Sequence, residues 1–439
     1  MNRYVQPFLD YLAASPTAFH AVEQAKRQLL AAGYTCLNEQ EAYGLKAGGR
    51  YFVTRNQSSL IAFRVPAKGL APFRITASHV DSPALKLKAL MEDRAVKPYV
   101  RLNAEKYGGT ILSTWLDRPL SVAGRLLIRT EHGIESRLCD LGRDAAVIPN
   151  LAIHFNRNVN DGYAFNVQKD MMALWGDDAE EGSLLAELAA GVRADAKDVA
   201  GHDLFLYSRT PGTVWGAQNE YLSAGRLDDL ECAWTCLQAF LSAEGGEDHL
   251  NVYALFDNEE VGSLSKQGAD SSLLADTLLR IGEALGAGAG ETRAAMAAGF
   301  MASADNAQAL HPNHPDKYDA QNRVLMNRGV VIKYSANQKY TTDGVSSALF
   351  SEVCQAANVP VQSFVNRSDI IGGATLGGLS NTHVSLNTVD IGLAQLAMHS
   401  AWETAGVHDL PYMIDALRMF YSAELRMTGD GLWETEFPA

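Results

Sequence analysis

The stretch YALFDNEEVGS, residues 253–263, carries an apolar run straight into two adjacent carboxylates, Glu259 and Glu260. By itself such a pair reads as a solvated turn. Four other segments deliver the same residue types at comparable places: His79-Val80-Asp81 after FRITAS, Asp305 after GFMASA, His399 after VSLNTVDIGLAQLAM, and Asp228 in AGRLDDL. Singly, His79 could be a satisfied core histidine, Asp305 a helix N-cap and His399 a flanking residue. Jointly those readings weaken, because unpaired charge buried at strand ends costs several kcal/mol unless it coordinates something or is neutralised. A divalent metal supplies what is missing. Imidazole mixed with carboxylate and no thiolate suits a catalytic zinc, or cobalt or manganese, better than a structural zinc. Two histidines and three carboxylates exceed what one open tetrahedral ion uses, whereas two ions sharing a carboxylate accommodate them, as in two-metal hydrolases. At the end of an extended segment neighbouring side chains point in opposite directions, so one glutamate can bind metal while the other faces the activated water as a base.

The elements that must carry these residues are legible in the same pattern. SPTAFHAVEQAKRQLLAAGY reads as an amphipathic helix with Ser15 as N-cap, Pro16 at the first position and Gly33 as the stop. YFVTR, SLIAFRV and FRITASHVD read as short strands. From about residue 90 the texture changes: LSVAGRLLIRTEHGIESRLCDL reads as a hairpin turning at His132-Gly133, and IPNLAIHFNRNVNDGY continues in a β-rich style. Within this region the acidic, Ala-rich DDAEEGSLLAELAAGVRADAKD reads as a helix with a solvated face. After about residue 220 strands and helices alternate again, ending in a strand-to-helix unit over VSLNTVDIGLAQLAMHSAWETAG. The pattern is α/β, wound around a sheet whose early part is split by a β-rich insertion. In such sheets ligands lie beyond the carboxyl ends of the strands, where the His and carboxylate residues fall.

Bulk properties narrow the chemistry further. The 439 residues carry 51 acidic against 37 basic side chains, a formal charge of -14 that repels phosphate backbones and anionic membranes. Neither nucleic acid nor membrane is an expected partner. Asp10 interrupts the only apolar run near the N-terminus, so no secretory signal is read there. No stretch of 18 apolar residues occurs. The five scattered cysteines fit a reducing compartment, and the expected location is cytoplasmic. Cys232 and Cys236 read as buried helix packing, and the proline-flanked His311 and His314 as loop residues. GGATLGG, residues 372–378, lacks the ending of a phosphate-binding loop and reads as a tight strand-to-helix connection. Neither HExxH nor GxSxG occurs, which argues against a single-zinc protease of that type or an α/β-hydrolase.

SPTAFHAV, ASHVDSP, AGRLDDL, FDNEEVGS, SADNAQALHPN, VVIKYSANQKY and DIGLAQLAMHS, in that order and over nearly the whole chain, resemble the M18 metallo-aminopeptidases, the aspartyl aminopeptidase family. The resemblance implies a catalytic α/β domain of the di-zinc aminopeptidase type, its sheet sandwiched by helices, over residues 1–90 plus 220–439. A β-rich dimerisation and capping domain over 91–219 is implied to interrupt it. It also implies that His79, Asp228 and Asp305 hold one zinc, with Asp228 bridging to a second held by Glu260 and His399. Glu259 becomes the general base. Choosing Asp228 over Asp229 rests on the resemblance, since local chemistry cannot separate them.

Asp81 matches an aspartate that accepts the other imidazole N–H of His79, which would fix its tautomer. Lys333 matches a position that contacts an acidic substrate side chain, and His154, in LAIHFNRN, one that reaches a neighbouring subunit's site. The implied activity is removal of N-terminal residues, Asp or Glu, from peptides with a free N-terminus, through a water between the metals whose proton Glu259 takes and passes to the leaving amine. A Leu-preferring aminopeptidase, a di-zinc carboxypeptidase or N-deacylase, and a non-catalytic oligomeric shell are the alternatives. The resemblance also implies assembly as a dodecamer built from dimers, so a homo-oligomer is expected.

Overall fold

The computed structural model describes residues 2–244 and 248–438. Its centre is a nine-stranded sheet with the order Thr35–Cys36, Arg50–Arg55, Ser59–Arg64, Leu250–Phe256, Phe73–His79, Phe300–Ala304, Asn387–Gly392, Val330–Tyr334, Val361–Val365. The four middle strands, from Leu250–Phe256 to Asn387–Gly392, are mutually parallel. Leu250–Phe256, Phe73–His79 and Phe300–Ala304 are buried throughout. This is why they read as near-continuous apolar runs.

Alternation along a strand splits its side chains between two layers. Tyr253 and Leu255 pack with the helices Leu227–Ser242 and Asp409–Ser422, while Val252, Ala254 and Phe256 pack with Leu273–Ala284. Burial on both faces produces a sheet sandwiched by helices, the α/β class expected. Register aligns the strand ends: Phe256 lies opposite His79, and Ala304 opposite Ile391. The residues that follow these ends therefore meet at one rim.

Two smaller sheets complete the rim. An antiparallel six-stranded sheet, with its own apolar core, is drawn from strands between Ala84 and Ser208. A five-stranded sheet joins Thr213–Trp215, Tyr221–Ala224, Glu403–Gly406, Ala394–Leu396 and Ala307–Gln308.

Local expectations need four corrections. The first long helix spans Ala18–Ala31 with Thr17, not Ser15, before it. The Ser15 carbonyl is instead occupied by the Arg226 guanidinium, at 3.1 Å, and a separate helix, Val5–Ala13, precedes it. The hairpin turns one residue earlier, at Glu131-His132, because Thr130 already pairs with Gly133. Residues 149–165 form turns and a short 3-10 segment, not strand. Finally, the segment after Asn387–Gly392 is not a helix: Ala394–Leu396 and Glu403–Gly406 pair antiparallel, and His399 sits in the loop between them with φ +68°. Cys232 and Cys236 are fully buried in the helix Leu227–Ser242, as packing residues.

Candidate active site

Each polar residue of the rim is placed by the end of an element. His79 is the last residue of its buried strand, and Asp305 follows Ala304 directly. Asp228 lies in the first turn of Leu227–Ser242, where Asp228 and Asp229 depart from helical backbone angles. Glu259 and Glu260 open a 3-10 turn behind Asn258, whose φ is +63°. The opposed directions expected of an extended segment therefore do not apply to them. The turn aims both carboxylates at the same rim.

Three close donor groups result among the described residues: His79, Asp228 and Asp305 form one and Asp228, Glu260 and His399 another, the two that share Asp228, while His79 also lies close to Glu259 and Glu260. His79 Nε2 stands 3.6 Å from Asp228 Oδ1 and 3.8 Å from Asp305 Oδ1. His399 Nε2 stands 3.3 Å from Asp228 Oδ2 and 3.4 Å from Glu260 Oε1. Ligands about 2.1 Å from a tetrahedral ion lie roughly 3.4 Å from one another, so these separations are those of atoms around an ion, longer than good hydrogen bonds. The chemistry agrees: Asp228 Oδ1 and Glu260 Oε1 are buried with no hydrogen-bond partner, a cost of about 1–3 kcal/mol each unless a cation faces them. Imidazole and carboxylate donors suit zinc. Asp228, not Asp229, presents to both imidazoles; Asp229 Oδ2 accepts the His79 backbone N–H at 3.1 Å.

Proton affinities show the same shortage of positive charge. Burial pushes Glu259 up to about 7, with His79 opposing and Asp305, Asp81 and Asp228 reinforcing. Burial and then Asp228 push Glu260 up to about 11. Asp228 is held below the usual carboxylate range by His399 and His79 although burial opposes this. Burial would lower His79, but Asp228, Asp305 and Asp81 hold it well above its ordinary value.

Behind the rim, His79 Nδ1 donates to the backbone carbonyl of Asp81 at 3.0 Å, closer than the carboxylate at 3.4 Å that was expected to accept it. The Asp81 carboxylate is occupied otherwise. It accepts the Glu259 and Glu260 backbone N–H groups, each at 3.1 Å, and the Tyr107 hydroxyl at 2.8 Å. Glu403, unnoticed in the sequence, accepts the backbone N–H of Asp228 at 3.1 Å and of His399 at 2.7 Å. A lone carboxylate in AWETAG was its only signal. Asn258 Nδ2 donates to Tyr107 Oη at 2.8 Å. The pair Gly108-Gly109 ends a β-rich run, a sign of close backbone approach that was also passed over.

Lys333 is buried, with Nζ 3.4 Å from Asp305 Oδ2 and 5.6 Å from the centre of the Tyr340 ring. Burial disfavours its charge, yet Asp305 keeps its pKa above that of a free lysine. His154 belongs to none of the donor groups and is exposed on the irregular loop. His311 and His314 lie in a loop and are likewise outside these groups.

The family model for the aminopeptidase I zinc metalloprotease (M18) matches residues 11–421. A probable M18 family aminopeptidase 2 of Clostridium novyi (strain NT) is 42% identical over 428 residues, 96% of this chain and 99% of the relative. The chain belongs to the M18 family of zinc metallo-aminopeptidases. Among solved structures, one of the Ape4 and Nbr1 complex matches with a TM-score of 0.92 at 34% identity, covering 95% of this chain and 85% of that one. The S. cerevisiae mApe1 dodecamer matches with a TM-score of 0.81 at 25% identity, covering 95% and 98%. The rim thus gathers closely spaced imidazole and carboxylate donors beside a glutamate pushed up to about 7, the kind of perturbed cluster in which functional residues concentrate.

Proposed function

We propose that this M18 enzyme removes N-terminal residues, preferring Asp or Glu, from peptides with a free N-terminus, using two divalent ions per subunit. The observation that carries this reading is the meeting of two donor groups at one shared carboxylate, Asp228. His79, Asp228 and Asp305 would hold one ion, and Asp228, Glu260 and His399 the other. Zinc suits the donors best, with cobalt and manganese as substitutes. When bound, such ions polarise the scissile carbonyl and lower the pKa of an attacking water. Glu259, outside the two groups that share Asp228 but at the same rim, would take that water's proton and deliver it to the leaving amine. Asp81 holds the turn bearing Glu259 and Glu260 by their backbone N–H groups. Metal analysis with turnover of Asp-, Glu- and Leu-anilides, before and after chelation, tests the proposal. Two ions per chain and chelator-sensitive cleavage are expected; undiminished cleavage by the metal-free protein overturns it. Cleavage of N-acetylated substrates would instead favour a deacylase, and release of C-terminal residues a carboxypeptidase.

Preference for an acidic first residue rests on Lys333. Long-range fields from a chain of charge -14 repel acidic peptides, but screening confines them to about 8 Å at physiological salt, so a local cation decides. The pairing of Lys333 with Asp305 favours a second reading, a neutral preference such as Leu, because the ammonium already has a partner. Lys333→Met separates the two. The acidic reading expects the Asp-to-Leu ratio of kcat/KM to fall at least about tenfold, the loss of one charge-assisted contact; an unchanged ratio removes Lys333 from recognition.

Assembly into a homo-oligomer of dimers, a dodecamer like that of the yeast relative, is part of the same proposal. Catalysis would reside in residues 1–90 and 220–439, with 91–219 forming the dimer contacts. Leu151, Ile153 and Phe155 stand exposed beside His154, and apolar exposure of this kind marks contact surfaces. His154 would then reach a neighbouring site. Sedimentation should show a species near twelve copies of the 47.5 kDa chain, roughly 570 kDa; a monomer at micromolar concentration contradicts it. No helix among the described residues is long and apolar enough to cross a membrane, and the cysteines are free thiols. The acidic charge and the unpaired cysteines favour a cytoplasmic enzyme acting on peptides, with neither nucleic acid nor an anionic membrane surface as partner.

A further inference from the structure

The two donor groups differ in what supports them. His79, Asp228 and Asp305 all come from the nine-stranded sheet and the helix packed against it. Glu260 and His399 are instead covered by a strap, residues 107–115, which leaves the end of Tyr99–Tyr107 in the six-stranded sheet and turns into the 3-10 segment Leu112–Trp115. Gly108, at φ +70°, lies so close to Glu260 that a Cβ there would meet Glu260 Cβ at 3.1 Å. A Cβ on Gly109 would meet His399 Nδ1 at 3.1 Å.

The strap also fixes the His399 loop through its backbone. Ile111 N–H donates to the His399 carbonyl at 2.9 Å, and Thr110 Oγ1 donates to it at 3.3 Å. Thr110 is in turn held by Trp115 Nε1 at 2.7 Å, and Thr114 Oγ1 accepts the Ala401 N–H at 2.9 Å. Thus a side chain on Gly108 presses on Glu260 and one on Gly109 presses on His399, and each must give by a few tenths of an ångström, whereas neither of these is a donor of the His79, Asp228 and Asp305 group. Tyr107 is less selective, because its hydroxyl binds Asp81, which braces both His79 and the Glu259-Glu260 turn.

We infer that the strap is a positioning device for one of the two ions: Gly108 and Gly109 set Glu260 and His399 and so control the affinity of the site those residues form, while the site holding His79 and Asp305, braced through Tyr107 and Asp81, does not depend on these two glycines. This rests on the two-ion reading above. The test is a competitive chelator titration with zinc, read as two binding steps, on wild type, Gly109→Ala and Gly108→Ala, with Co2+ absorption as a second readout of the coordination environment. In both variants one step should weaken by at least about tenfold, the size of effect typical when support around a ligand is lost, and the other should stay at the wild-type value. Either variant suffices if the other does not fold. Two unchanged steps, or two steps weakened equally as by general loosening, overturn the inference while the two-ion reading stands. A wild type with a single step overturns both.

Discussion

Glu259→Gln is expected to lower kcat by about 10²- to 10⁴-fold while both ions remain bound, the range a positioned general base supplies. Glutamine keeps the size and hydrogen-bonding capacity of the side chain but cannot accept the proton. Glu259 belongs to neither of the groups that meet at Asp228, although it lies with His79 and Glu260 at the same rim. Its backbone N–H, held by Asp81, is untouched by the substitution. Metal content by elemental analysis and kcat on one anilide substrate together check the result. A variant that keeps two ions and near-wild-type kcat would remove Glu259 from the chemistry.

Asp228→Asn should have the other large effect, and of a different kind. Asp228 Oδ1 faces His79 and Oδ2 faces His399, so the one carboxylate serves both groups. Loss of its charge should weaken both ions by at least about 100-fold, more than the loss of a supporting contact costs, and activity should fall with occupancy. Asp305→Asn is the contrast, because Asp305 belongs to one group only. Equilibrium metal titration distinguishes them: both steps weaken in the first variant and one in the second. A single affected step in Asp228→Asn would contradict the shared role.

The donors were readable in the sequence because each ends a local apolar run, and a parallel sheet brings such ends together whatever the connections between them. His79, Glu260 and Asp305 illustrate this. His399 was found for a partly wrong reason. The strands on either side of its loop, Ala394–Leu396 and Glu403–Gly406, are too short to show periodicity, so the segment reads as helix, and its pairing with distant Tyr221–Ala224 has no local signal. For the same reason Glu403 was missed, although it ties Asp228 to His399. Tyr107 and the glycines that follow it meet residues far away in sequence, Asp81, Glu260 and His399, so no local pattern announces them. Opposed directions for Glu259 and Glu260 failed because a left-handed Asn258 converts the strand end into a turn, and one sequence does not announce which asparagine adopts that conformation.

Anomalous diffraction from crystals of the zinc-loaded enzyme tests the central claim most directly. Two peaks about 3.5–4 Å apart, on either side of the Asp228 carboxylate, are expected, one against His79 and Asp305 and the other against Glu260 and His399. One peak alone, or peaks remote from Asp228, would contradict it.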